Sequence, residues 1–388
     1  MTVPILPEQP WLSAPATRAV VAALGSGNAR IVGGAVRDAL LGLPVQDVDI
    51  ATPLAPGEVI KRLTAARLKA VPTGIAHGTI TAVALGHTFE VTTLRRDVAT
   101  DGRHATVAFS TEWREDAARR DFTINALYAD PDTREISDWF GGLGDLEARR
   151  VRFIGDPETR IAEDHLRILR FFRFHARFGR GEPDAEGLAA CTAHANDLLA
   201  LSRERIRDEV SKLLAVVDPV PVVGTMLRAG ILAPVLSEIA DLDRLQRLIA
   251  TEAGQGAPVS WLRRLAALLP ADPIVLEDIA IRLRLSNVDR RRLVAMAAPA
   301  GPDVLAEAYW DGIDAARDRR LLAGADADPR LAGWARPKLP ASGRALIARG
   351  LTPGPEVSHK LGWFERQWVA AGFPAEFDDL LDRAVREG

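Results

Sequence analysis

The sequence is short of several things, and each shortage excludes something. A single cysteine, Cys191, among 388 residues leaves no intramolecular disulfide, so packing must hold the fold and a reducing compartment is the simple expectation. No stretch approaches the roughly 18 uncharged apolar residues of a membrane-spanning helix. The opening Met1-Thr2-Val3-Pro4 has no basic stretch running into an apolar one. A soluble, cytoplasmic chain is expected. Lysine occurs only at 61, 69, 212, 338 and 360, so nearly all of the 49 basic residues are arginine. Guanidinium groups suit phosphates and base edges. A GC-rich coding sequence produces the same bulk count, so only arginines at informative positions carry weight. Fixed-period repeats and low-complexity segments are missing too.

What is present is ordinary globular material, 47% hydrophobic and 26% charged, long enough for about two to four domains. With 52 acids the net charge is −3. That speaks against a surface built wholly for nucleic acid and leaves room for a local basic groove. The first third mixes signals. Ala29 to Val32 is a short apolar run before Gly33-Gly34, and a helical pattern follows from Ala35 to Leu41. Asp47-Val48-Asp49-Ile50 alternates as a half-buried strand does. Pro56 to Ala66 reads as a helix, and Thr79 to Leu85 with Phe89 to Leu94 as a hairpin turning at Gly86-His87. From about Asp156 onward the pattern is helical, broken by proline and glycine.

The chemistry begins at Gly33-Gly34-Ala35-Val36-Arg37-Asp38. A glycine pair between strand and helix lets the backbone approach an anion, and Arg37 can add a charged contact to phosphate. A plain tight turn gives the same pair. On a strand, Asp47 and Asp49 would face one side, and two adjacent carboxylates repel unless a cation sits between them. Magnesium suits such a pair, because it keeps water and phosphate in its shell. A bare Asp-x-Asp is also found on solvated strand edges. If the strand holding Glu90 lies beside Asp49, a third acid can complete a metal cluster or act as base on a hydroxyl. Three acids, a glycine turn and an arginine are the parts of two-metal nucleotidyl transfer.

The run Ile31 to Gly42, with Asp47-Val48-Asp49 after it, resembles the head of the class II tRNA nucleotidyltransferase and poly(A) polymerase family, within the DNA polymerase β-like superfamily. Arg119-Arg120-Asp121-Phe122-Thr123-Ile124-Asn125-Ala126-Leu127 is similar to that family's ribose and phosphate motif, Glu163-Asp164-His165-Leu166-Arg167-Ile168-Leu169-Arg170 to its base-selecting motif, and Ser202-Arg203-Glu204-Arg205-Ile206 to its neck motif. Together and in order, these cover roughly the first 215 residues.

The resemblance implies an α+β fold: a catalytic head with a small mixed sheet (residues 1–150), then an all-α neck (151–215), body (216–300) and tail (301–388) that binds tRNA. It implies Asp47, Asp49 and Glu90 as catalytic residues, the two aspartates holding Mg2+. Gly33, Gly34, Arg37, Arg120, Asp121, Asp164, Arg167, Arg170 and Arg173 would bind the nucleotide. Asp164 and Arg167 at i and i+3 of a helix would be neighbours. A carboxylate accepting an exocyclic amino group beside a donating guanidinium suits cytosine and adenine and rejects guanine and uracil. The alternative is a surface ion pair, although the apolar residues of Leu166 to Phe174 surround most of that helix and imply burial.

The expected activity is addition of CCA to the 3′ end of tRNA from CTP and ATP, with pyrophosphate released. A poly(A) polymerase and a catalytically silent RNA-binding relative are the alternatives. None of the seven histidines precedes an aspartate, so the phosphohydrolase domain of some relatives is not expected. Pro340 to Arg344 and Gly350 to Glu356 resemble the tail of short CCA-adding enzymes. Arg282, Arg284, Arg290, Arg291 and Arg292 form a basic cluster that would meet the tRNA backbone, or a solvated helix face.

Overall fold

The computed structural model describes residues 3–100 and 105–387. The polar segment Asp101-Gly102-Arg103-His104 lies outside the described residues. The chain packs as two units, Met1–Val235 and Leu236–Gly388.

The first unit is built on a sheet of seven strands: β1 (Arg30–Val32), β2 (Asp49–Thr52), β3 (Lys69–Gly74), β4 (Thr79–Ala84), β5 (His87–Thr93), and, after the separate two-stranded ribbon of β6 (Arg95–Thr100) and β7 (Ala105–Phe109), β8 (Leu127–Ala129) and β9 (Ile136–Asp138). The order is β3-β4-β5-β2-β1-β8-β9, and only β2 and β5 pair in parallel. The β4–β5 hairpin turns at Leu85 and Gly86, with φ 50° and 82°. Two successive positive φ values are the mark of a type I′ turn, whose twist matches the strands it joins. The turn therefore lies one residue before the position read from sequence.

Register decides the faces. Ile31, Ile50, Val91 and Ile80 are cross-strand partners in sequence and are all fully buried. Helices Pro15–Leu24 and Pro56–Ala65 pack on the sheet. Each such side chain contributes about 1.5–3 kcal/mol by leaving water. The intervening residues, Asp49 and Glu90 among them, point to the other face.

The helices that follow the sheet pack on aromatic residues beside it. Helix Leu166–Phe178 buries Leu166, Ile168, Leu169, Phe171, Phe172, Phe174, His175 and Phe178. Phe171 stacks on Phe153 at 5.4 Å, and Phe174 lies 5.1 Å from Phe122. The burial expected of this helix is therefore present. Upstream, Asp156 caps helix Pro157–Glu163 by accepting from Thr159 N at 2.9 Å.

The second unit is all helical among the described residues, from Asp243–Gln255 to Asp378–Glu387. Its buried charges are matched internally. Arg263 bonds Glu252 and Asp318, and Arg292 also bonds Asp318, at 2.7 Å. This modifies the reading of the basic cluster: Arg282 pairs with Glu238 at 2.7 Å and Arg290 with Glu277 at 3.4 Å, so much of its charge is answered by acids of its own unit. Among the described residues no helix is long and apolar enough to cross a membrane.

Candidate active site

A cavity of about 520 Å³ opens on the polar face of the sheet in the first unit. Its wall includes Gly33, Gly34, Arg37, Asp49, Glu90, Arg120, Asp121, Asp164, Arg167, Arg170 and Arg173. Asp47 is the one residue of the expected site missing from that wall. A larger hollow of about 920 Å³ in the second unit is lined by Trp310, Trp334 and several arginines, but the paired acids lie in the smaller cavity.

The acids are placed by the parallel ladder. Asp49 opens β2 directly opposite Glu90 on β5, which puts both carboxylates on the cavity face. Asp47 is exposed and precedes the strand, so the alternation read from Asp47 to Ile50 is not a strand throughout. Its neighbour β1 ends at Val32 because the chain turns away at Gly33, where φ is 64°. Asp47 therefore has no partner on the β1 side, although β5 extends back to His87 on the other. Its charge is still felt. Burial first, then Glu90, pushes the Asp49 carboxyl above the usual carboxylate range, Arg120 opposes this, and Asp47 adds to it. Partly dehydrated, mutually repelling oxygen ligands fit a hard divalent cation. Among the described residues no three acid, histidine or cysteine side chains close into a cage. The donor set is therefore an open one, suited to an ion that keeps water and phosphate ligands.

Gly33 also makes room. A β-carbon there would come within 3.2 Å of Nη1 of Arg120. Arg120 donates from Nε to Tyr128 Oη at 2.8 Å and from Nη1 to the Asn125 carbonyl at 3.4 Å, with Asp116 also 3.4 Å away. Asp121 is held separately. It accepts from Arg170 Nε at 2.8 Å, from Asn125 Nδ2 at 3.0 Å and from Phe122 N at 2.8 Å. Burial would raise its carboxyl, but Arg170 and these donors hold it below the usual range. Arg120 and Asp121 thus do not pair with each other. Asn125 links Asp121 to Arg37: its Nδ2 donates to the first and its Oδ1 accepts from the second at 2.6 Å. Arg37 is only 6% exposed and also bonds Asp38, so little of its charge is left for phosphate.

The base-selecting pair needs a correction. Helix Pro157–Glu163 ends before Asp164, and the next helix starts at Leu166. Asp164 and Arg167 are therefore not i and i+3 on one helix. The reason is local: Asp164 Oδ1 accepts from Leu166 N at 3.1 Å, satisfying one of the free amides of the new helix. Its Oδ2 accepts from Arg205 at 2.7 Å, while Arg167 pairs with Glu163 at 2.5 Å and donates to the Arg119 carbonyl at 3.1 Å. Both still line the cavity. Arg173 is held by Glu209 at 2.5 Å. Arg205 lies within the neck motif quoted above. Glu209, Asp116 and Tyr128 carry no sequence signal that would have singled them out.

Comparison with known proteins places this geometry. The mouse mitochondrial CCA tRNA nucleotidyltransferase 1 is 33% identical over 376 residues, covering 91% of this chain and 85% of its own. The chain belongs to the CCA-adding tRNA nucleotidyltransferase family. The CCA-adding enzyme of Lacticaseibacillus paracasei is likewise 33% identical, with 92% of each chain covered. Within this nucleotidyltransferase, residues 29–152 match the poly A polymerase head domain and 182–242 a probable RNA and SrmB-binding site of polymerase A. The crystal structure of the Bacillus stearothermophilus CCA-adding enzyme in complex with CTP superposes with a TM-score of 0.75 at 28% identity, covering 92% of this chain and 94% of that one. Members of this family use divalent metal ions.

Proposed function

We propose that this nucleotidyltransferase adds CCA to the 3′ end of tRNA from CTP and ATP and releases pyrophosphate, using Mg2+. The observation that carries the reading is the placing of Asp49 against Glu90 in one cavity with Arg120, Asp121, Asp164 and Arg167. Asp49 and Asp47 would hold the ion, with Glu90 beside them. When bound, magnesium supplies activation of the attacking 3′ hydroxyl and neutralisation of charge on the leaving pyrophosphate. Arg120, beside the Gly33 turn, meets the triphosphate. Asp121 would accept from the ribose hydroxyls by exchanging one of the four N–H groups, two of them from Arg170, that fill its lone pairs. Asp164 accepts from the exocyclic amino group of cytosine or adenine and Arg167 donates beside it. Guanine and uracil would set like groups against this pair.

The division into a head at 1–150, neck at 151–215, body at 216–300 and tRNA-holding tail at 301–388 belongs to the same proposal. So does the cytoplasm as its compartment, which suits a buried free thiol at Cys191. The deciding assay supplies tRNA lacking CCA with each nucleoside triphosphate alone and in mixtures, and sizes the products. Two cytidines from CTP and a final adenosine from ATP are expected. Efficient long A tails on an arbitrary RNA primer would assign the chain to poly(A) synthesis instead, and no extension at all would leave an RNA-binding relative.

A further inference from the structure

Behind the cavity wall lie Tyr128 and Asp116, which do not line it. Tyr128 is fully buried in β8, and Asp116 is 2% exposed in the first turn of helix Trp113–Ala118. The Tyr128 hydroxyl donates to Asp116 Oδ2 at 2.5 Å and accepts from Arg120 Nε at 2.8 Å. Asp116 takes three further donors: Arg119, Arg120 and the backbone N–H of Arg95. The Tyr128 ring is fixed from two sides by Trp113 and Trp139, at 6.1 and 5.5 Å. It also lies beneath the Arg120 guanidinium, whose centre is 5.0 Å from the ring.

A guanidinium has five N–H donors in a rigid fork. In Arg120 the Nε side is consumed by Tyr128, and Nη2 leans on Asp116. The fork is thereby turned so that the Nη1 edge lies against Gly33, at the cavity. An arginine on a flexible stem would otherwise sample many rotamers and lose that freedom on binding.

We propose that Tyr128 and Asp116 are positioning residues that aim Arg120 at the triphosphate of the incoming nucleotide, so that CTP and ATP affinity depends on a phenol which never touches them. This rests on the placement of Arg120 at the nucleotide proposed above. Burial would raise the Asp116 carboxyl, but Arg119 and Arg120 outweigh it and keep the group ionised. The acceptor that orients the phenol therefore persists across neutral pH.

The test is a cycle of Tyr128→Phe and Arg120→Ala in the full chain, with KM for CTP and ATP, KM for tRNA and Tm measured on each. Losing a hydrogen bond to a charged group should raise the nucleotide KM about ten-fold or more in Tyr128→Phe, with tRNA KM and Tm little changed because the ring keeps its packing. In the Arg120→Ala background, Tyr128→Phe should add nothing. Equal effects of Tyr128→Phe with and without Arg120 would overturn the positioning role, as would an unchanged nucleotide KM. Asp116→Asn, which weakens the acceptor and keeps its shape, should give the same selective rise. A normal nucleotide KM in Arg120→Ala itself would instead overturn the placement of Arg120 in the parent reading.

Discussion

Asp49 carries a charge its surroundings oppose: burial and the facing Glu90 both disfavour the ionised form. A divalent cation removes that opposition, so the residue should matter for chemistry far more than for RNA binding. Asp49→Ala, and Asp47→Ala with it, should lower nucleotide addition about a hundred-fold or more while tRNA binding in a filter or gel assay stays nearly intact. Full catalysis in both variants would remove the two-metal assignment. Asp164 offers a different readout. If Asp164 selects the base as proposed, Asp164→Ala removes the acceptor for the exocyclic amino group, at a cost of about 1–3 kcal/mol, and leaves Arg167 able to meet the carbonyls of U or G. CTP and ATP use should fall about ten-fold, and discrimination against UTP and GTP should relax. Steady-state incorporation of all four nucleotides measures it: an unaltered preference removes Asp164 from base selection, and a uniform loss points to its bond with Arg205 instead.

Between elements, His194 ties three helical segments together. Standing at the end of helix Ala185–Ala193, it bonds Asp197 at 2.7 Å in the next turn and Glu158 at 2.5 Å in helix Pro157–Glu163, with His165 3.8 Å from the same Asp197. The bond to Asp197, then that to Glu158, raises its pKa above the ordinary histidine value. A raised histidine stabilises the fold fully below its unfolded pKa and loses that contribution as pH rises through the folded one. His194→Ala should therefore melt below the native chain at pH 6, and the gap should shrink as pH rises past the folded value. A gap of constant size across that range would mean the histidine acts by packing alone.

Elements also show what a sequence reveals and what it hides. Helix Pro56–Ala65, the hairpin of β4 and β5 and the helical character after Asp156 were legible because their periodicity and caps are local. β8 and β9, three residues each, were not, since such short strands exist only through their neighbours in the ladder. At the site, Asp49, Arg120 and Asp164 were legible through motifs, and Glu90 as an acid on a strand that could lie beside Asp49. Their partners Arg173–Glu209 and Arg120–Tyr128 join residues whose pairing only the tertiary fold creates. The Asp164–Arg167 spacing misled for a physical reason: an aspartate two residues before an apolar run binds a free helical amide and starts a new helix rather than continuing the old one.

For the molecule as a whole, the distribution of charge bears on how far a product can grow. The segment ending the second unit carries Glu376, Asp378, Asp379, Asp382 and Glu387, and Asp378 and Asp382 both engage Arg349. Such a segment offers little grip on a lengthening strand of phosphates. Extension of tRNA should stop after CCA even with ATP in excess, as product sizing over time would show; continued growth to tens of nucleotides would contradict it.

Seven arginines and four acids form the wall of the catalytic cavity, yet Arg37, Arg120, Arg167, Arg170 and Arg173 already answer to Asp38, Asp116, Glu163, Asp121 and Glu209. The pocket is thus close to electrically neutral before any substrate arrives. Such a pocket would select by the directions in which its donors point, and not by pulling in whatever anion is nearest. An enzyme bathed in RNA, free phosphate and nucleotides would gain from that arrangement, because loose polyanions meet little unspent charge there. The KM for nucleotide should accordingly change little with added salt.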